Sequence, residues 1–205
     1  MMKLLYKLIR GAIVITSSII NRFNLIISGV IIGKHVNTCG IIYLRNYAQK
    51  GKIQIGNDVI INSGLRANPV GKLKRTSFIV GQNGHIVLGN RVRISNTTLF
   101  SQNSISIGDD TFIGGGTQVF DTDFHSIYSK FRINGNTDII TAPVEIGQRV
   151  FIGADVIILK GVRIGDDSVL GAGSVVTSNI PSGQVWAGNP ARLIKRMEID
   201  ESCTD

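Results

Sequence analysis

The sequence predicts an all-β protein of one domain, built as a parallel β-solenoid with three flat faces, and three observations support this class. Aliphatic residues recur at every sixth position between residues 146 and 180, and glycine often follows them. This period matches neither the 3.6 residues of a helix turn nor the alternation of a single strand. Glycine is plentiful at 24 of 205 residues, while only 18% of residues are charged. One coil cannot bury its own aliphatics, so successive coils must stack to close a core.

The hexads define two inward-pointing positions on each face. The first is occupied by Ile146, Ile152, Ile158, Ile164, Leu170 and Val176. The second, four residues further on, is occupied by Val150, Val156, Val162, Ser168, Ser174 and Ile180. Glycine, asparagine and aspartate supply the corners, because they adopt positive φ at the lowest cost.

Residues 1–30 differ from the rest of the chain and precede the solenoid. Lys3, Lys7 and Arg10 stand among aliphatics, and an uncharged run follows over 11–20. The run is shorter than the ~20 residues that cross a bilayer, and no small-residue cleavage site follows it. The favoured interpretation is a short helix that caps the first coil. The alternative is a basic amphipathic segment, residues 1–22, that lies on an anionic membrane surface.

The solenoid is expected over residues 31–185. Its first coils are irregular, and the segment 66–76 is predicted to be an exposed loop because it interrupts the pattern with proline, glycine and cations. Further inward positions are expected at Ile55, Ile61, Leu88, Ile94, Phe100, Ile107, Ile113 and Val119, with a slip of one residue after Phe100. The segment 186–205 is expected to close the last coil with a short helix and to end in a tail from residue 198.

The polar segment 121–143 is predicted to be a loop and is the candidate site, because catalytic and binding residues often lie on loops that a rigid scaffold holds. His125 is the candidate general base, since histidine titrates near neutral pH. Asp123 and Asp121 precede it by two and four residues, so an extended chain would place all three side chains on one side. Either carboxylate could orient the imidazole, or both could simply stabilise turns. These two interpretations remain open at this stage.

Three sequence features together resemble the left-handed β-helix hexapeptide-repeat acyltransferases. They are the Ile-Gly-x4 hexads, the segment Asp121-Thr-Asp-Phe-His125 and the ending Trp186-Ala-Gly-Asn-Pro-Ala-Arg192. Within that superfamily the chain is most similar, over roughly residues 53–197, to sugar O-acetyltransferases such as the galactoside and maltose enzymes and those of surface polysaccharide synthesis. The resemblance implies a left-handed parallel β-helix, a homotrimer with sites between protomers, and acetyl-coenzyme A as co-substrate without a metal.

The resemblance also implies roles for particular residues. His125 would take the proton of a sugar hydroxyl in a direct transfer, with Asp123 or Asp121 orienting it. Acceptor contacts would come from Asn96, Tyr128 and Arg132. Coenzyme A would meet Ala154, Gly171, Ala172, Thr177, Ser178, Trp186 and Arg192. For Trp186, contact with the adenine and coverage of the last coil stay open as alternatives.

The resulting prediction is O-acetylation of a sugar hydroxyl in bacterial surface polysaccharide (O-antigen or capsule) synthesis. The alternatives are N-acetylation of a nucleotide-linked amino sugar and a non-catalytic binding solenoid. A three-histidine zinc site like that of carbonic anhydrases with this fold is excluded, because the three histidines lie fifty and forty residues apart.

Composition sets the expected partners and location. The net charge of +8 suits a phosphorylated ligand better than nucleic acid in such a fold, so no nucleic-acid partner is expected. The two cysteines, Cys39 and Cys203, form no motif, which favours a reducing, cytoplasmic setting. The inner face of the cytoplasmic membrane is the alternative location.

Overall fold

Short parallel strands wind around one aliphatic core in the computed structural model, which describes residues 2–47, 52–71 and 74–197. Each coil contributes one strand to each of three sheets, which we call faces A, B and C. Face A contains β1 (Ile31–Ile32), β4 (Ile53–Ile55), β7 (Ile86–Leu88), β10 (Ile105–Ile107), β13 (Val144–Ile146) and β16 (Arg163–Ile164). Face B contains β2 (Asn37–Cys39), β5 (Ile60–Asn62), β8 (Arg93–Ser95), β11 (Phe112–Ile113), β14 (Phe151–Ile152), β17 (Val169–Leu170), β19 (Gln184–Gly188) and β20 (Ala191–Arg196). Face C contains β3 (Tyr43–Asn46), β6 (Ser77–Val80), β9 (Thr98–Ser101), β12 (Gln118–Phe120), β15 (Ile157–Ile158) and β18 (Val175–Val176).

The register of the strands stacks equivalent residues into columns. On face A, for example, Ile55, Leu88 and Ile107 are successive Cα partners, and Ile146 and Ile164 continue the column. All six residues predicted for the first inward position between 146 and 176 are at most 3% exposed, as are the six of the second position. The hexad interpretation of this part of the chain is therefore confirmed.

One inward residue was predicted wrongly. On face C, Leu99 is fully buried, whereas Phe100 points outward and is only half-buried. The corner before β9 is one residue shorter than the hexad requires, since its left-handed residue Asn96 (φ 48°) follows Ile94 by two residues, whereas Asp155 follows Ile152 by three. The stretch from Leu99 to the next residue at the first inward position, Ile107, is two residues longer than a hexad, and the net result is the slip of one residue.

The end of the β-helix also differs from expectation. The chain from 184 to 196 forms an antiparallel hairpin, β19 with β20, instead of the short helix predicted there. β19 pairs in parallel with β17, so the hairpin prolongs face B. Pairing with an existing strand satisfies the backbone polar groups, as a helix would, and also extends the sheet. The tail predicted from residue 198 lies outside the described residues.

The amino-terminal helix α1 (Met2–Ile27) is longer than the short helix expected and lies against the first coil. The side chain of Asn21 is 2% exposed; it donates to Thr38 Oγ1 at 2.8 Å and to the Gly40 carbonyl at 2.9 Å. Its oxygen accepts from the backbone N–H of Ile42 at 3.1 Å. The helix thus satisfies polar groups at the end of the solenoid with a polar side of its own.

A ladder of paired charges follows the corner between faces A and B. Arg91 forms a bidentate pair with Asp110, at 2.6 and 2.7 Å, and Arg149 repeats this with Asp167, at 2.6 and 2.8 Å. All four residues have φ between 55° and 59°. The pairs lower the pKa values of both carboxyl groups and raise those of both guanidinium groups, chiefly through these hydrogen bonds.

Candidate active site

The long loop 121–143 connects β12 on face C to β13 on face A, and the residues near its two ends pair with each other. Thr122 and Thr141 form an antiparallel bridge. The N–H of Asp123 donates to the Ile140 carbonyl at 3.1 Å, and the N–H of Ala142 donates to the Asp121 carbonyl at 2.9 Å. These contacts hold the two ends of the loop together.

The Asp121 side chain is fully buried at the start of the loop and binds the preceding coil, at the end of β9. Its carboxylate accepts from Ser101 Oγ at 2.7 Å and from the backbone N–H groups of Gln102 and Asn103, at 2.7 and 2.8 Å. Three donors on one carboxylate hold the start of the loop against the corner after β9.

The chain turns sharply between Asp123 and His125. Phe124 has φ 63°, and the N–H of His125 donates back to the Asp123 carbonyl at 2.7 Å. The Phe124 ring makes edge contacts with Phe100 and Phe120, with centroid separations of 4.6 and 5.2 Å. Aromatic packing of this kind stabilises a backbone conformation that a bulky residue seldom adopts.

Two side chains from the far arm of the loop hold the turn. Asn136 donates from Nδ2 to the Phe124 carbonyl at 3.1 Å and accepts at Oδ1 from the N–H of Ser126 at 3.3 Å. Arg132, in the short helix α2 (Ser129–Ile133), donates to the Ser126 carbonyl at 2.9 Å. The backbone on both sides of His125 is thus fixed, while the imidazole is exposed.

His125 lines an open groove of about 490 Å³. The walls carry aromatic rings and neutral polar groups, from Asn83, Phe100, Gln102, Thr122, Phe124, His125, Ile139 and Thr141. Among the described residues, no hydrogen-bond partner reaches the His125 imidazole. A free imidazole beside amide, hydroxyl and aromatic groups can take a proton from a bound polar molecule.

Asp123 pairs with a cation from the next coil instead of with His125. Its Oδ1 lies 2.8 Å from Lys160 Nζ, and less than a third of either side chain is exposed. The turn at Phe124 explains this arrangement, because it ends the alternation that an extended chain would give. The expectation that Asp121, Asp123 and His125 project to one side of an extended segment was therefore wrong.

Comparison with known proteins assigns the chain to a family. A model of the hexapeptide repeat of succinyl-transferase matches residues 143–178. Galactoside O-acetyltransferase of Escherichia coli K12 is 38% identical over 120 residues, which are 58% of this chain and 57% of that protein. WbbJ of the same organism, whose name describes an O-acetyl transferase of lipopolysaccharide biosynthesis, is 32% identical over 168 residues, which are 75% of each chain. The chain belongs to the hexapeptide-repeat acetyltransferase family.

A solved structure of this family supports the assignment and the handedness of the fold. Galactoside acetyltransferase in complex with coenzyme A superposes with a TM-score of 0.58 and 28% identity, covering 86% of this chain and 70% of that one. The predicted left-handed parallel β-helix is thus confirmed. In the parts of the chain that the structure describes, no group of three metal-ligating side chains occurs.

The residues predicted to meet coenzyme A lie around the last coils. Ala154 and Ala172 lie at the corner before face C, and Thr177 and Ser178 follow β18 at the other edge of that face. Ala154 is half-buried, and the other three residues are exposed. The alanines present only a methyl group there, so an extended ligand could approach the backbone. Packing also explains why residue 171 is glycine, since a Cβ atom on Gly171 would lie 2.7 Å from Ala187 Cβ.

Trp186 and Arg192 belong to the terminal hairpin on face B. Trp186 is half-buried, packs against the core and donates from Nε1 to Gln184 Oε1 at 2.8 Å. It thus covers the last coil, as one of the two interpretations expected. Arg192 is exposed and donates to the carbonyl of its neighbour Ala191 at 2.9 Å.

The three predicted acceptor residues do not line the groove. Asn96 is fully buried at the opposite end of β9, where it donates to the carbonyls of Asn68 and Val70, both at 2.8 Å, and accepts from the Gly64 N–H at 2.7 Å. Tyr128 is exposed near the start of α2, and Arg132 holds the turn. Their roles toward an acceptor stay predictions.

Sequence reasoning missed the polar residues that do line the groove, Asn83, Gln102 and Thr141. They come from three separate coils or loops. They could have been found by aligning the hexads of successive coils. This alignment stacks β6, β9 and β12 on face C, and the segments that follow these strands meet at one edge of that face.

Proposed function

We propose that this protein transfers an acetyl group from acetyl-coenzyme A to a hydroxyl group of a sugar, with His125 as the general base. The observation that supports the proposal is the exposed imidazole, which a fixed turn holds at the edge of the groove. Aromatic rings beside amide and hydroxyl groups also suit a carbohydrate, which offers apolar ring faces and many hydroxyls. The two relatives of this protein described above are named as O-acetyltransferases, which agrees with transfer to a hydroxyl group.

The proposed reaction needs only one acid–base group. His125 takes the hydroxyl proton as the sugar oxygen attacks the acetyl carbonyl carbon, and a tetrahedral intermediate forms. When the bond from carbon to sulfur breaks, the imidazolium returns the proton to the departing thiolate. The sugar ester and free coenzyme A result, so no acyl-enzyme is formed.

The test is the turnover of acetyl-coenzyme A against a panel of sugars and nucleotide-linked sugars. We expect His125→Asn to lower turnover by about 10²–10⁴-fold, because the contribution of a positioned base is lost. His35→Asn is the matched control, since His35 is an exposed histidine on the corner between faces A and B and pairs with Asp58. Turnover by His125→Asn equal to that of the wild type would refute the mechanism.

The same panel separates the alternatives. An ester product is hydrolysed by mild alkali, whereas an amide from an amino sugar survives, which distinguishes O-acetylation from N-acetylation. If neither hydroxyl nor amino acceptors support turnover, the binding-solenoid alternative is favoured.

We further propose that the acceptor belongs to a bacterial surface polysaccharide and that the protein works as a cytoplasmic homotrimer. WbbJ is named for lipopolysaccharide biosynthesis, and the loop exposes Ile127 and Ile133, at 65% and 79%, which a neighbouring protomer could cover. Light scattering in solution measures the assembly directly.

A further inference from the structure

The side of α1 that faces the protein is polar at Ser17 and Asn21 and becomes apolar only towards its end, where Leu25 is 2% exposed in the core. Ser17 and Asn21 are 3% and 2% exposed and make hydrogen bonds with the first coil. Surface helices normally bury their apolar stripe against the core.

The outward side of α1 is a stripe of large apolar residues. At 100° per residue these side chains span about 140° of the helix circumference. The stripe comprises Ile9, Ile15, Ile19, Ile20, Phe23, Ile26 and Ile27, which are between 47% and 67% exposed. Exposed apolar patches of this continuity mark surfaces that bind another protein or a membrane.

The charge of the chain is concentrated at the same end. Residues 1–57 contain eight lysines and arginines and no aspartate or glutamate, whereas residues 58–205 contain fourteen of each sign. The entire net charge of +8 is therefore carried by residues 1–57 of the sequence. Arg22 is exposed on α1, and Lys34 is exposed in the turn after β1.

We propose that α1 lies on an anionic lipid surface, with the stripe immersed in the interface and Arg22 and Lys34 against the headgroups. An apolar face bordered by cations binds at that boundary. A second copy of this chain is a poorer occupant, because it would bring two ends of charge +8 together while the rest of each chain is neutral. Among the described residues, no helix is long and apolar enough to cross a membrane.

The proposal does not depend on acetyl transfer, so sedimentation of the whole protein with vesicles tests it separately. We expect binding to phosphatidylcholine vesicles that contain about 30% phosphatidylglycerol, and affinity at least tenfold lower for phosphatidylcholine alone. The variant Ile19→Ser/Phe23→Ser/Ile26→Ser should bind at least a hundredfold more weakly, because three of the seven immersed apolar side chains are lost. Arg22→Gln should bind about fivefold more weakly to the anionic vesicles.

A matched control variant removes apolar residues from other surfaces. Leu65→Ser/Val70→Ser/Ile194→Ser changes three side chains that are 53%, 50% and 62% exposed, and it should bind vesicles like the wild type. Circular dichroism checks that both triple variants fold, which is expected because every substituted side chain is exposed.

Three results would overturn the proposal. The wild type could fail to bind anionic vesicles, or the α1 variant could bind them undiminished. The α1 variant could also reduce the molecular mass measured by light scattering, which would assign the stripe to contacts between copies.

Discussion

The substitution Asp121→Asn should destabilise the fold strongly, although it preserves the shape of the side chain. The buried carboxylate accepts from Ser101 Oγ and from the N–H groups of Gln102 and Asn103. An asparagine in the same place presents one acceptor and one donor. In either orientation of its amide, the NH₂ group must face at least one of the two backbone N–H groups.

The expected magnitude follows from these contacts. An unsatisfied buried donor costs about 1–3 kcal/mol, and the bonds that remain change from charge-assisted to neutral, which loses roughly 1 kcal/mol more for each. Relief from burying a charge offsets part of this cost. We therefore expect the free energy of unfolding to fall by about 2–5 kcal/mol.

Equilibrium unfolding in urea measures this loss, and turnover is followed on the same preparations. Asp138→Asn is the matched control, because Asp138 is exposed in the same loop at φ 59°, a conformation that asparagine tolerates well. The control should change stability by less than about 0.5 kcal/mol. If Asp121→Asn unfolds at the wild-type midpoint and still loses turnover, the carboxylate acts in the chemistry and the anchoring role is refuted.

Two further predictions concern charge pairs. Because Asp123 contacts Lys160, Asp123→Asn and Lys160→Met should lower turnover by similar factors, and their double variant should be less destabilised than the sum of the singles by about 1 kcal/mol. A much larger loss of turnover for Asp123→Asn alone would show that Asp123 acts on His125 independently of Lys160. The hydrogen bond from Arg91 lowers the pKa of Asp110 below its ordinary 3.8, so the stabilisation is present above that pH and is lost as pH falls through the lowered folded value. The free energy of unfolding should therefore decline less steeply with acid for Asp110→Asn than for the wild type, and equal slopes would contradict this assignment.

The repeating part of the protein was predictable from local pattern alone. An inward aliphatic recurs every six residues, and its burial depends only on the coil that carries it and on identical neighbours above and below. Residues 146–180 could therefore be placed on three faces, and His125 could be assigned to a loop that leaves the scaffold. The pattern failed at Phe100 because the corner at Asn96 is one residue shorter than the hexad requires, and the six-residue period does not reveal such a change.

The fold class, the family resemblance and the candidate base could all be predicted from the amino-acid sequence. What surrounds that base depends on the tertiary structure, because the groove gathers Asn83, Gln102 and Thr141 from the three segments of different length that follow β6, β9 and β12. The tertiary structure also decided that Asp121 anchors the loop and that Asp123 pairs with Lys160. The physical reason is that neighbours across stacked coils are set by corner lengths and left-handed turns, and these are conformations of the folded backbone that a six-residue period does not encode.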